Sequence, residues 1–292
     1  MDVFLPATLD EALDAAAAHP EVVPIAGGTD VMVELNMDRG RPETLMDVSR
    51  LPELGEWRRE DGSLFLGAGV TYTRIMRELP ELTALVQASR SVGSPQIRNR
   101  GTVGGNLGTA SPAGDALPVL AAWDADIFLG RAGGSTRSVR WDEFLKGVKQ
   151  TSLEPGELIL GARWHVPSGP GSFSKIGTRN AMVIAVASVC LQVDEPSRSI
   201  RVALGSVAPT VVRAREAETV AAQAFEDAGA WDDPRADPGD EAIGPFGELV
   251  AEAASPIDDV RGTASYRKRA VSVLARRALG WALADRRAGA AA

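Results

Sequence analysis

One cysteine and two histidines in 292 residues leave this chain little with which to hold a metal or move a group by itself. Cys190 stands alone in the apolar stretch VIAVASVCLQV, so a disulfide or a cysteine-ligated iron–sulfur cluster within the chain is excluded, and the thiol reads as a small buried hydrophobe. His19 and His165 lie far apart in unrelated contexts, which leaves a zinc site or a histidine-based triad without support. If electrons or hydrides move here, a bound organic cofactor must carry them. No apolar run is long enough to span a bilayer, and the opening MDVFLPATLDEALDAAAAHP has no basic start followed by an apolar core, so a cytoplasmic protein is expected. With 31 Lys and Arg against 39 Asp and Glu, the net charge of −8 opposes attraction to nucleic acid or an anionic membrane, and neither is expected as a partner.

What is present is an ordinary globular composition with two textures. Up to about residue 167, strands and helices alternate. TLDEALDAAAAH reads as a helix capped by Thr8 with Glu11 three residues on, EVVPIA as a strand, ETLMDVS and SLFLGAGV as strands, and TYTRIMRELPELTALVQASRSV as a helical stretch interrupted at Pro80. AGDALPVLAAWDA reads as a helix, DIFLG and ELILGARWHV as strands. From about Phe173 longer strands follow, FSKIGTR, VIAVASVCLQVD and IRVALGSVA. Two helices come after them, in VRAREAETVAAQAF and YRKRAVSVLARRALGWALADRR, and EDAGAWDDPRADPGDEAIGP between these reads as a solvated loop. The expectation is a mixed α/β, overall α+β, chain of two domains, 1–167 and 168–292.

Two glycine pairs carry the chemical signal. Gly27 and Gly28 follow a strand in PIAGGTD, and Gly104 and Gly105 sit inside TVGGN. Glycine permits positive φ and lets a ligand approach the main chain, and successive N–H groups in such a turn can converge on phosphate oxygens. Either pair alone is most simply a tight turn. Neither is a G-x-G-x-x-G or a P-loop, so the common nucleotide fingerprints are absent.

The ordered set PIAGGTD, RNRGTVGGNLGTASPAGD, FSKIGTR, VALGSVAPT and YRKRAVSVLARRAL resembles the flavin-binding subunit of the xanthine dehydrogenase family, which includes the medium subunit of aerobic carbon monoxide dehydrogenase and related molybdenum hydroxylases. The resemblance runs from VFLPATLDEAL to the last helix, the acidic loop before Gly247 excepted. It implies a two-lobed FAD-binding domain of the p-cresol methylhydroxylase/vanillyl-alcohol oxidase type, with lobes of about 1–55 and 56–167. A C-terminal sheet-plus-helices flavoprotein domain of the carbon monoxide dehydrogenase type, 168–292, would follow.

The resemblance also implies site residues. Pro24, Ile25, Ala26, Gly27, Gly28, Thr29, Asp30 and Val31 would form one wall of the FAD pyrophosphate site. Thr102, Val103, Gly104, Gly105 and Asn106 would form the facing wall, with Thr109 just beyond. Thr102 can add a hydroxyl and Asn106 an amide to the backbone donors, a polar but uncharged grip. Asp115 matches an acid that contacts the cofactor and suits ribose hydroxyls, while the same position also suits the first turn of a helix. Lys175 matches a lysine near the flavin ring, where a cation would shift the redox potential upward; without the resemblance the residue reads as a surface lysine on a strand. Arg179 lies close to it in sequence. Ile159 matches an apolar cofactor contact and also fits a core residue. NAMVIA, around Met182 and Val183, replaces a more polar segment found in several members.

As a member of that family the chain would carry FAD, with the molybdenum cofactor on a large partner subunit and two [2Fe-2S] clusters on a small one, assembled as a dimer of heterotrimers. It would pass electrons from the clusters to NAD or another acceptor, most simply as a xanthine dehydrogenase-like subunit, with no catalytic side chain and no metal of its own. Two other readings fit the glycine turns. One is a free-standing flavin oxidase, whose flavin is often tethered through His or Cys residues that are absent near either turn. The other is a nucleotide-binding scaffold subunit that has lost its flavin, against which the intact AGGTD and TVGGN argue.

Overall fold

The computed structural model describes residues 1–290, side chains at 240–242 excepted. It is a mixed α and β structure that divides into two compact units. The first comprises Met1–Leu79, Val92–Ser111 and Asp124–His165; the second comprises Pro80–Ser91, Pro112–Trp123 and Val166–Ala292.

The first unit contains ten strands: β1 (Asp2–Phe4), β2 (Val23–Ile25), β3 (Thr44–Asp47), β4 (Trp57–Glu60), β5 (Ser63–Gly67), β6 (Asp126–Gly130), β7 (Thr136–Arg140), β8 (Leu145–Gly147), β9 (Gln150–Thr151) and β10 (Leu158–His165). A parallel sheet runs in the order β1-β3-β2, and an antiparallel sheet in the order β4-β5-β10-β6-β7. The helix Leu9–Ala18 starts where expected, with Thr8 Oγ1 accepting from the Glu11 N–H at 3.2 Å. Its buried face, Ala12, Leu13 and Ala16, joins Met46 of β3 and Leu51, Leu54, Ala68 and Leu158 in one core. Ala26, at the end of β2, and Ile159 of β10 pack on this core, and this anchors the strand that leads into the first glycine turn.

The second unit is built on an antiparallel sheet in the order β11 (Gly171–Ile176), β12 (Ala187–Asp194), β13 (Ser199–Gly205), β14 (Val212–Arg213). All eight residues of β12 are buried, as a central strand covered on both faces requires. Helices Thr83–Ser91 and Ala116–Ala122 pack on β11, β12 and β13. The helices Arg215–Asp227, Gly239–Glu252 and Ala264–Gly289 enclose a core with Phe225, Phe246 and the β12 and β13 side chains. The last helix buries Ala270, Val271, Leu274, Ala275, Ala278, Leu279, Ala282 and Leu283, a helical stripe of threes and fours.

Three segments differ from the sequence-based expectation. The solvated loop expected over EDAGAWDDPRADPGDEAIGP gives way at Gly239 to a helix, because Phe246 and Val250 gain full burial; Pro245 inside that helix costs one backbone hydrogen bond, which the apolar face outweighs. Val212 and Arg213, read as the start of a helix, instead pair with Leu204 and Ala203 as β14. The long helical stretch divides at Pro80 as expected, but its halves, Tyr72–Glu78 and Thr83–Ser91, belong to different units.

Candidate cofactor site

Strand β2 ends at Ile25, and Ala26 to Asp30 turn the chain into the short helix Val31–Asn36. Gly28 takes φ +72°, a conformation that favours glycine. Gly27 is required for a different reason. A Cβ there would stand 2.0 Å from the Arg100 carbonyl oxygen and 2.9 Å from the Gly101 nitrogen, so the Arg100–Gly101 peptide lies directly against it. The second glycine segment therefore meets the first at this point, within one unit. A second tie lies at the other end of the turn, where the Thr109 hydroxyl donates to Asp30 Oδ2 at 3.1 Å.

The two segments use their backbone differently. The N–H groups of Gly27, Gly28, Thr29, Asp30 and Val31 have no acceptor among the described residues, a row of five unspent donors in a turn that only glycine allows. In the second segment the donors are spent inside the protein. Val103 N–H donates to Val70 O at 3.4 Å, Gly104 N–H to Ala68 O at 2.9 Å, Gly105 N–H to Thr102 Oγ1 at 2.9 Å and Asn106 N–H to Thr102 O at 3.1 Å. The backbone donors expected from TVGGN, these four N–H groups, are instead bonded within the protein. Thr102 keeps its hydroxyl proton, and Gly105 is exposed. Gly104 is a packing glycine, since a Cβ would meet Ala68 Cβ at 2.5 Å, whereas a Cβ at Gly105 meets only Thr102 Oγ1 at 3.2 Å. Ile159 is half-buried and its Cδ1 lies 3.6 Å from the point a Cβ on Gly108 would occupy, which puts it beside the same segment.

Asp115 and Lys175 belong to the second unit, where they meet each other. Lys175 Nζ, on β11, donates to Asp115 Oδ2 at 2.5 Å, to Ser91 O at 2.8 Å and to Val183 O at 3.2 Å, so its three protons all have acceptors. Ser91 Oγ donates to the same carboxylate oxygen at 3.0 Å, while Asp115 Oδ1 is buried with no partner among the described residues. Burial pushes the Asp115 carboxyl above its ordinary range despite the opposing pull of Lys175. Asp115 begins the helix Ala116–Ala122 without making a capping hydrogen bond, because its side chain turns to the lysine. No pattern in the sequence marks Ser91 as part of this cluster. Arg179 holds the Met182 carbonyl, whose residue has φ +51°.

A diphosphate-bearing cofactor fits the first unit on this geometry, since the unspent donors and the glycine surfaces are what a diphosphate needs and a Cβ would obstruct. Residues 1–168 match the family described as the FAD binding domain in molybdopterin dehydrogenase. The putative xanthine dehydrogenase FAD-binding subunit of Escherichia coli K12 is 32% identical, over 75% of this chain and 78% of its own length. The glyceraldehyde dehydrogenase medium chain of Sulfolobus acidocaldarius is 30% identical over 93% and 94%. A chain of the carbon monoxide dehydrogenase of Hydrogenophaga pseudoflava superposes with a TM-score of 0.84 at 26% identity, covering 98% of both chains. The chain belongs to the FAD-binding medium subunits of the molybdenum hydroxylase family, flavoprotein components of oxidoreductases.

Proposed function

We propose that this chain accepts electrons from [2Fe-2S] clusters on a small partner subunit and delivers them to NAD or another soluble acceptor, within a cytoplasmic complex whose large subunit holds the molybdenum cofactor. FAD, when bound, supplies the exchange between one-electron and two-electron transfer. The observation that carries the reading is the row of unspent donors from Gly27 to Val31. In this role the turn binds the diphosphate through its N–H groups, Thr102 adds a hydroxyl donor, Ile159 offers an apolar surface, and Gly105 leaves room for the ligand. The Asp30–Thr109 hydrogen bond holds the two segments in register. The first unit keeps the arrangement on a packed core, which fixes orientation.

A xanthine dehydrogenase-like complex is supported by the E. coli relative, and a dimer of heterotrimers is proposed for its assembly. The names of the other relatives, glyceraldehyde and carbon monoxide dehydrogenases, set the competing substrate classes. The test is rapid-mixing spectroscopy of the purified complex. Adding a purine should bleach the oxidised-flavin absorbance, and NAD should restore it. Bleaching by an aldehyde but not by a purine would redirect the substrate, and a flavin that stays oxidised with every reducing substrate would contradict electron transfer through this chain.

A further inference from the structure

A diphosphate is an anion, and the turn that would receive it already carries the carboxylate of Asp30, exposed and bonded only to a neutral hydroxyl. Neutral N–H donors alone would leave two anionic groups side by side without a counter-charge. The cations on or bonded to the elements that meet at the turn differ in how they are used. Lys149 is committed to Glu34, on the helix that follows the turn, at 2.5 Å. Arg98 spends one guanidinium nitrogen on the carbonyls of Val92 and Gly93, at 3.0 and 3.1 Å. Arg100 is exposed at the end of the helix Pro95–Arg100 and has no acceptor among the described residues. Its own carbonyl is the atom that presses on Gly27, so its backbone is fixed at the first residue of the donor row while its side chain stays uncommitted.

From this juxtaposition we propose that Arg100 is the cationic contact of the FAD diphosphate, completing with its guanidinium the grip that the Gly27–Val31 turn begins. The inference rests on the FAD reading above and adds to it a charged residue where the sequence implied an uncharged grip. Guanidinium suits the task better than ammonium, because its planar fork can donate to two phosphate oxygens at once and because it remains charged at every working pH. The close approach at Gly27 thereby gains a second purpose, since the contact that demands a glycine also delivers the arginine.

The experiment titrates the full-length protein, stripped of flavin, with FAD and with riboflavin, following quenching of flavin fluorescence at low and high salt. It compares wild type with R100M and R100K, each checked by thermal unfolding. Arg100 is exposed, so both variants should melt with the wild type. R100M should bind FAD about ten- to a hundredfold more weakly, as expected for loss of a charge-assisted hydrogen bond, and should lose much of the salt dependence. R100K should recover part of the affinity, and riboflavin, which has no phosphate, should bind all three proteins alike. R100M that holds FAD as tightly as wild type with the same salt dependence would overturn the role of Arg100 alone. A wild-type protein that fails to bind FAD would overturn the underlying reading and this inference with it.

Discussion

Lys175 and Asp115 form an ion pair of 2.5 Å in which the lysine is satisfied and the acid is not: Nζ has three acceptors, while one carboxylate oxygen is buried without a partner. The side chains are only 10% and 6% exposed, so neither charge can turn to water if the other is removed. Lys175→Met should therefore destabilise the protein by roughly 3 kcal/mol, and adding Asp115→Asn should recover most of that loss, because replacing both partners leaves no uncompensated charge. Because burial already raises the Asp115 pKa, the folded single variant takes up a proton before the unfolded chain does. Its deficit should be largest at neutral pH and should shrink as pH falls through the carboxylate range. Denaturant unfolding of the three proteins across pH checks this; a double variant as unstable as the single one would contradict it.

Glu78 gives the opposite pH behaviour. Hydrogen bonds from Arg74 first, then Arg77, with a further one from Trp57 Nε1, hold its carboxyl down at about 2, against 4.5 when unperturbed. A lowered folded-state pKa means that the contribution is fully present above 4.5 and is lost as pH falls from there to about 2. Wild type should accordingly exceed Glu78→Gln in stability at neutral pH, and the two curves should converge toward pH 2. A gap that stays constant across that window would contradict the assignment.

The adjacent glycines 104 and 105 should separate folding from binding. Gly104→Val forces a side chain into Ala68 and should lower the melting temperature together with flavin content. Gly105 is exposed and a Cβ there meets only Thr102 Oγ1, at 3.2 Å, a tight contact that a shift of a few tenths of an ångström relieves, so Gly105→Val should melt within a few degrees of wild type yet bind FAD at least about tenfold more weakly. Gly105→Val with unchanged FAD affinity would mean that the ligand does not approach this surface.

Cys190 is fully buried on β12, and desolvation pushes its thiol pKa far up. A thiol reagent should leave the native protein unlabelled and modify about one thiol per chain after denaturation. Fast labelling of the folded protein would contradict the core placement.

Much of this could be read from the sequence, for identifiable reasons. The Thr8 cap, the break at Pro80 and the strand before Gly27 are local signals, and the structure reproduces them. The helix Gly239–Glu252 was hidden because Asp, Pro and Gly dominate its start, while the burial of Phe246 and Val250 that stabilises it comes from partners distant in sequence. The same limit applies at the site. That the Arg100 carbonyl requires a glycine at 27, that Val103 and Gly104 spend their N–H groups on Val70 and Ala68, and that Lys175 is saturated by Asp115, Ser91 and Val183 are all long-range facts. Residue types pointed to an anion site; only the fold shows which of the two glycine turns still has donors to give.

The flavin content of the purified full-length protein and of Gly28→Val, measured as FAD released by acid, tests the diphosphate site at Gly27–Val31 most directly. Gly28 sits at φ +72° with the nearest atoms, on Ile25 and Met32, 3.3 to 3.4 Å from an added Cβ, so the substitution strains the turn that presents the five donors rather than the core beneath it. Wild type should carry roughly one FAD per chain, and a Gly28→Val protein that still unfolds cooperatively should carry little or none. Full FAD occupancy in Gly28→Val would contradict that site, as would a wild-type protein that stays colourless after incubation with FAD.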